Sequence, residues 1–139
     1  MRAEEEGRGE EGRDLAGLKV FAVEDESLVA MQLEDMLYEF GCEVVGLAMR
    51  VARALDMADT LPAIDFAVLD VNIAGDKVYP VAACLRARGV PIVFATGYGR
   101  AGVDPEWHEC QIVQKPYTAD ELRAHIEGAL RSGRAPAIA

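Results

Sequence analysis

The stretch KVFAVED, residues 19–25, joins a short apolar run to a pair of acids. Its apolar residues are consecutive and do not alternate with polar ones, which is typical of a parallel strand covered by helices on both faces. From Ser27 to Phe40 the apolar positions follow a helical period, and Gly41 supplies a stop signal. The stretch therefore predicts a strand followed by an amphipathic helix. The predicted inner face of this helix consists of Val29, Leu33, Met36, Leu37 and Phe40.

The same pattern repeats along the chain. Further strands are predicted at residues 44–49, 66–69, 92–95 and 112–113, and further helices at 51–61, 78–88 and 118–131. Thr118 and Glu121 form a capping box at the start of the last helix. Residues 97–110 contain three glycines and a proline without an apolar stripe, so a fourth helix there should be short, irregular or mobile. The pattern predicts an α/β fold with a doubly wound, five-stranded parallel sheet.

The length of 139 residues and the apolar content of 51% fit one domain with a core of its own. Residues 1–17 are rich in acids and glycine, and we expect a disordered acidic tail there; an interaction arm is the alternative. The folded part is expected to span residues 18–131, and residues 132–139 to form a C-terminal tail.

Charge and hydropathy exclude several classes of partner. The net charge of −10 leaves no basic stripe for a phosphate backbone, so nucleic acid is not an expected partner. The apolar runs are too short to span a membrane, and the N-terminus lacks a signal-peptide pattern. We therefore expect a cytoplasmic protein. The three cysteines are widely spaced among apolar neighbours, and neither histidine has a ligand at zinc spacing, which favours reduced thiols without a metal.

Polar residues stand where the predicted strands end. Glu24 and Asp25 follow the first strand, Asp70 the third and Thr96 the fourth, while Lys115 follows the fifth. Ligands of doubly wound sheets bind at the carboxyl ends of the strands, so these side chains should lie close together. One acid could be a helix N-cap, but three neighbouring acids raise one another's pKa unless a cation offsets them. Magnesium suits such a site.

The remaining side chains at this edge add a fixed positive charge and a hydroxyl. Lys115 can neutralise a phosphoryl group, and the hydroxyl of Thr96 can bond one of its oxygens. A carboxylate can be the nucleophile that forms an acyl phosphate, and Asp70 lies in the middle of the set. The residues thus predict phosphoryl transfer to Asp70.

At this point the chain resembles the receiver domain of two-component response regulators. The motifs are the acids after KVFAV, Asp70 in VLDVN, Thr96 after VFA and Lys115 before Pro116. The resemblance covers residues 18–131 and implies a flavodoxin-like sheet with the strand order 2-1-3-4-5.

By position, the resemblance implies that Asp70 takes a phosphoryl group from a phosphohistidine of a histidine kinase or histidine phosphotransfer protein. It implies Mg²⁺ (or Mn²⁺) bound by Asp25, by Glu24 largely through water, by Asp70 and by the backbone carbonyl of Asn72. Thr96 and Lys115 would bind phosphoryl oxygens. Such a domain is a switch and not a turnover enzyme, although it assists its own phosphorylation and dephosphorylation.

The stretch FATGYG, residues 94–99, also resembles the signature of a receiver subgroup called FAT GUY regulators, frequently lone domains in alphaproteobacteria. Thr96 would reach the phosphoryl group, and the amide of Gly97 could approach the same anion without a side chain in the way. Gly97 and Gly99 would let the segment rearrange; an ordinary turn is the alternative. Tyr98 between them is a candidate switch residue.

Two positions depart from the common receiver pattern. Most receivers have a proline where this chain has Ala74, which leaves the geometry of the loop NIAGDK open. Many have an aromatic switch residue where this chain has Ile112. Either Tyr98 or a disorder-to-order change of the loop that contains it would have to take over this role.

Other functions fit these residues less well. A magnesium phosphohydrolase would need a second acid where Asn72 stands, and a flavin protein would need a hydroxyl-rich loop after the first strand. A receiver-like module that binds partners without phosphorylation is the remaining alternative. A lone domain passes its signal on by contact with other proteins. It can bind a target, relay the phosphoryl group or drain phosphate from a shared kinase. The sequence also leaves open whether the protein forms a homodimer.

Overall fold

A central parallel sheet organises the chain in the computed structural model, which describes residues 14–134. The elements are β1 (Lys19–Val23), α1 (Ser27–Glu39), β2 (Glu43–Ala48), α2 (Val51–Thr60), β3 (Phe66–Asp70), β4 (Asn72–Ile73), β5 (Asp76–Lys77), α3 (Tyr79–Ala87), β6 (Ile92–Thr96), two 3₁₀ turns (Gly99–Gly102 and Pro105–Trp107), β7 (Gln111–Gln114) and α4 (Ala119–Arg134).

The sheet has five parallel strands in the order β2-β1-β3-β6-β7. The short strands β4 and β5 pair with each other outside this sheet. The five long strands therefore have the predicted order 2-1-3-4-5, and four helices within residues 14–134 flank them. The predicted α/β fold is confirmed.

Two apolar layers lie on opposite faces of the sheet because successive strand residues point to opposite sides. In β1, Phe21 and Val23 pack in the layer that includes residues of α2 and α3, whereas Val20 and Ala22 pack in the layer that includes residues of α1 and α4. Every residue of β3 and β6 is buried. These strands are continuously apolar up to their last residue because neither face is open to water.

The predicted capping box opens α4. The amide of Glu121 donates to Thr118 Oγ1 at 3.1 Å, and the amide of Thr118 donates to Glu121 Oε1 at 2.9 Å. Both bonds satisfy amides at the start of the helix, so this prediction is confirmed. The helix continues to Arg134, three residues beyond the predicted end at Arg131.

Residues 97–110 are irregular, as predicted, because they form only the two 3₁₀ turns. The second turn buries Trp107, whose ring stacks on Tyr79 with centroids 6.2 Å apart. Phe94 meets the same ring edge-on at 5.6 Å, and the guanidinium of Arg86 lies 3.8 Å from its centroid. Trp107 thereby anchors this segment to α3 and β6.

The predicted disordered tail is wrong for its last residues. Leu15 is fully buried in the layer beside α1, and the amide of Gly17 donates to the carbonyl of Gly41 at 2.8 Å. A single leucine in an otherwise polar run gave no periodic signal for this docking. Residues 1–13 and 135–139 lie outside the described part of the chain. Between residues 14 and 134, no helix combines the length and the apolar composition that crossing a membrane requires.

Candidate functional site

The register of the sheet brings the predicted site residues to one edge. Val23 of β1 pairs with Leu69 of β3, so the next residues, Glu24 and Asp70, become neighbours. On the other side of β3, Asp70 pairs with Ala95 of β6. Thr96 pairs in turn with Gln114 of β7, so that Lys115 follows at the same edge.

Three carboxylates meet at this edge. The distances between one carboxylate oxygen of Glu24, one of Asp25 and one of Asp70 are all within 4.8 Å. Glu24 and Asp70 are buried and Asp25 is half-buried. The prediction that these three acids cluster is therefore confirmed.

Lys115 lies against two of the three acids. Its Nζ donates to Asp70 Oδ2 at 2.9 Å and to Glu24 Oε1 at 3.2 Å. The other oxygens accept amide hydrogens, Glu24 Oε2 from Glu26 at 3.1 Å and Asp70 Oδ1 from Asn72 at 3.3 Å. The two buried carboxylates are thus oriented from both sides.

The crowded charges shift the acid–base behaviour of the site. Burial, followed by the negative charge of Asp70, raises the pKa of Glu24 to about 7, against the lowering effects of the Glu26 amide and Lys115. Burial by itself would lower the pKa of Lys115, but its bonds to Asp70 and Glu24 outweigh burial and raise that pKa. Lys115 therefore stays charged beside an acid that holds its proton up to neutral pH.

The loop after Asp70 is a β-hairpin. Asn72 and Ile73 pair with Lys77 and Asp76, and both residues of the turn, Ala74 and Gly75, have positive φ values of 52° and 91°. A two-residue turn of this kind suits a hairpin but strains a residue that has a Cβ. The sequence left the geometry of this loop open because Ala74 stands where most receivers have a proline. The structure shows a two-residue hairpin turn there.

Asp25 holds the hairpin to the acidic cluster. Its Oδ2 accepts a hydrogen bond of 2.8 Å from the amide of Ala74, 49 residues away in sequence. Across the hairpin, Lys77 Nζ donates to Asn72 Oδ1 at 2.7 Å. The side-chain oxygen of Asn72 thus accepts from Lys77, while the backbone amide of Asn72 donates to Asp70.

Thr96 ends β6 with a hydroxyl that is buried and engaged. Its side chain is 1% exposed, and Oγ1 accepts a hydrogen bond of 3.2 Å from the amide of Tyr98. Gly97 has open space around its Cα, and its carbonyl accepts from Gln114 Nε2 at 3.3 Å. Tyr98 is 74% exposed, which leaves its ring accessible at the surface beside the site.

Three contributors to the site were missed in the sequence. The amide of Ala74, the side chain of Gln114 and the close approach of Gly102 to Thr96 all hold site residues in place. The pattern gave no signal for the first two, because a backbone amide and a polar strand-end side chain are ordinary in any sequence. For Gly102, the sequence signal was a glycine three residues after the end of FATGYG.

With this geometry in place, the chain matches the family model described as the response regulator receiver domain over residues 20–127. The match covers most of the chain, so the chain belongs to this family. Receiver domains are phosphoacceptor switches and not turnover enzymes, and they bind Mg²⁺ at an acidic pocket.

Two solved structures are similar to this chain over most of its length. The solved structure of SdrG from Sphingomonas melonis Fr1 is 40% identical, with a TM-score of 0.74, and the match covers 83% of this chain and 97% of SdrG. The anti-anti-sigma factor PhyR from Bartonella quintana, solved as a mutant, is 26% identical with a TM-score of 0.76, covering 94% and 55% of the two chains.

Phyllosphere-induced regulator PhyR from Methylorubrum extorquens is 28% identical over 127 residues, which cover 87% of this chain and 48% of PhyR. The chain therefore spans about half the length of this curated relative.

The donor set of the site fits the magnesium ion that receivers bind. Glu24, Asp25 and Asp70 contribute three carboxylates within reach of one ion, and Lys115 supplies one positive charge against them. Oxygen ligands of this kind suit magnesium. Burial, followed by the negative charge of Asp70, raises the pKa of Glu24, and a bound cation would offset both effects.

Proposed function

We propose that this receiver domain accepts a phosphoryl group on Asp70 from a phosphohistidine of a sensor histidine kinase or a histidine phosphotransfer protein. The observation that carries the proposal is the environment of Asp70, a buried carboxylate at the end of a central strand. Lys115 bonds one of its oxygens at 2.9 Å, and two further acids lie beside it. The 40% identity to SdrG, which has also been solved in a beryllofluoride-activated conformation, supports the proposal.

In the reaction, a carboxylate oxygen of Asp70 attacks phosphorus. The P–O bond forms as the P–N bond of the phosphohistidine breaks, and the bonding pair of that bond stays on the imidazole nitrogen. The product is a carboxyl phosphate on Asp70. Attack of water on phosphorus later returns the carboxylate and releases inorganic phosphate, which resets the switch.

The neighbours of Asp70 neutralise and orient charge. Lys115 already bonds Asp70 and stays positive, so it can follow the negative charge onto the phosphoryl oxygens. We assign the hydroxyl of Thr96 and the amide of Gly97 to the same oxygens. Tyr98 and Gly99 would form the mobile part of this phosphoryl-binding loop.

We assign Mg²⁺, with Mn²⁺ as its substitute, to Glu24, Asp25, Asp70 and the backbone carbonyl of Asn72. When bound, the ion neutralises charge on the reacting phosphoryl group. Asp25 has the additional task of holding the hairpin through the amide of Ala74, so ion binding and hairpin position are connected.

We further propose a single-domain regulator of the FAT GUY subgroup, acting in the cytoplasm through protein contact. The stretch FATGYG and the match to nearly the whole of SdrG support this assignment. Binding a target, relaying the group and draining phosphate from a shared kinase are the three outputs that fit, and a homodimer could accompany any of them.

The test is intact-mass measurement after incubation with a small-molecule phosphodonor, with and without magnesium. We expect one added phosphoryl group on the wild type and on Asp76→Asn, which removes an exposed acid from the neighbouring hairpin. Asp70→Asn should gain none, and nor should the wild type in chelator. Addition to Asp70→Asn, or none to the wild type, would refute the proposal and favour a module that binds without phosphorylation.

A further inference from the structure

The first 3₁₀ turn lies directly on the hydroxyl of Thr96. A Cβ built on Gly102 would stand 2.5 Å from Thr96 Oγ1 and 2.8 Å from Tyr98 Cβ, distances that real Cβ atoms do not show. Gly102 has no positive φ to explain it, so its missing side chain serves the contact and not the backbone conformation. The turn can approach the hydroxyl this closely only because residue 102 is glycine.

Two further contacts hold the same segment down. The amide of Tyr98 donates to Thr96 Oγ1 at 3.2 Å, and Gln114 Nε2 donates to the carbonyl of Gly97 at 3.3 Å. A Cβ on Gly99 would lie 3.4 Å from Gln114 Oε1, so the same side chain also packs under the turn. Residues 97–102, which we call the closed loop, are thus fastened to the ends of β6 and β7.

We propose that Gly102 is a positioning residue for Thr96: it lets the closed loop cover the hydroxyl and so sets how readily that hydroxyl turns to a phosphoryl oxygen on Asp70. The inference rests on the proposed function, because it concerns the same phosphoryl group. Thr96 is 1% exposed and the closed loop lies against its hydroxyl, so the hydroxyl must be uncovered before it changes partner. Closing the loop therefore competes with binding the phosphoryl oxygen.

A methyl group at residue 102 tests this competition. Gly102→Ala penalises the closed loop and leaves Asp70, Lys115 and the acids intact. Only the fraction of molecules with an open loop can bind a phosphoryl mimic through Thr96. When the closed loop is lost, the apparent affinity for the mimic therefore rises by the inverse of that fraction. We expect the affinity for magnesium with beryllofluoride, measured by titration calorimetry, to rise about fivefold to tenfold.

The matched control is Ala101→Val, which adds bulk at the exposed neighbouring position and should leave the affinity unchanged. Gln114→Ala removes the second fastening from an exposed side chain, so it keeps the inference testable if Gly102→Ala does not fold. It should raise the affinity in the same direction. If Gly102 and Gln114 only support the local structure, their substitution should lower the affinity or leave it unchanged. Either result for both Gly102→Ala and Gln114→Ala would overturn the inference.

Two more readouts separate the possible failures. In a Thr96→Ala background, Gly102→Ala should no longer change the affinity; a persisting increase would mean that the loop acts without Thr96. Without ligand, the amide hydrogen of Tyr98 should exchange faster in Gly102→Ala than in Ala101→Val. An equal exchange rate of this amide hydrogen in the two variants would refute the closed loop itself. Absence of beryllofluoride binding by the wild type would instead refute the proposed function, and with it the role of Gly102.

Discussion

Replacing Glu24 by glutamine should stabilise the metal-free protein at high pH, and the gain should grow with pH. Glu24 is 2% exposed beside Asp70 and has a pKa of about 7, raised from an ordinary value of 4.5. Glutamine keeps the shape of the side chain and one oxygen, which can accept from Lys115 or from the amide of Glu26, but it carries no charge. The hydrogen bond that is lost costs the same at every pH, so it cancels when two pH values are compared.

The magnitude follows from linkage between proton binding and folding. The pKa of Glu24 is raised in the folded state, so its contribution to stability is fully present below pH 4.5 and is lost as the pH rises through 7. A shift of this size corresponds to about 3 kcal/mol at pH 8 and less than about 1 kcal/mol at pH 5. The advantage of Glu24→Gln should thus increase by about 2 kcal/mol between these pH values.

The assay is urea denaturation in chelator at both pH values, followed by far-UV circular dichroism. Glu26→Gln is the matched control, because it removes a charge from an exposed side chain two residues away. Adding magnesium at pH 8 should stabilise the wild type more than Glu24→Gln, since the variant keeps only two of the three carboxylates that the ion would neutralise.

A stability difference between Glu24→Gln and the wild type that is the same at pH 5 and pH 8 would refute the reasoning, because it would show that Glu24 does not titrate between these values. An equal pH-dependent gain for Glu26→Gln would show a general response to net charge and not a property of the cluster.

Five further substitutions, at four positions, test other parts of the structure by denaturation. Lys115→Met should cost about 3 kcal/mol at pH 8, because it leaves two buried carboxylates without their cation; unchanged stability would contradict the observed ion pairs. Trp107→Ala should cost about 3–5 kcal/mol by emptying the site between α3 and β6, with Trp107→Phe losing less. Because it removes the chain's one tryptophan, circular dichroism is the appropriate signal. Ala74→Gly should gain about 0.5–1 kcal/mol by relieving a positive φ, whereas Gly75→Ala should lose stability; a loss in both would refute the assigned strain.

The class of fold and the core of the site could be predicted because each depends on local pattern. Continuous apolar runs such as KVFAV report strands covered on both faces, and glycine or proline marks the ends of the helices between them. The rule that parallel strands present their carboxyl ends at one edge then places Glu24, Asp70 and Lys115 together without coordinates. The structure brings these three residues into direct contact.

The position of Leu15 and the geometry of the hairpin could not be predicted in this way. Leu15 stands alone in a polar run, and it is buried in an apolar layer that forms only when α1 packs on the sheet. The positive φ of Ala74 is imposed by a two-residue turn whose amide bonds Asp25, a partner 49 residues away. Neither residue carries a signal in its own neighbourhood.

The sequence by itself determined which residues could carry the chemistry, since acids, hydroxyl and lysine at strand ends follow from spacing and type. Only the tertiary structure decided how Thr96 is held, because the loop folds back so that the amide of Tyr98 donates to its hydroxyl and no space remains for a Cβ on Gly102. Contacts of this kind depend on distances of a few tenths of an ångström between segments. Periodicity and composition report which faces are buried but not how closely two backbones approach.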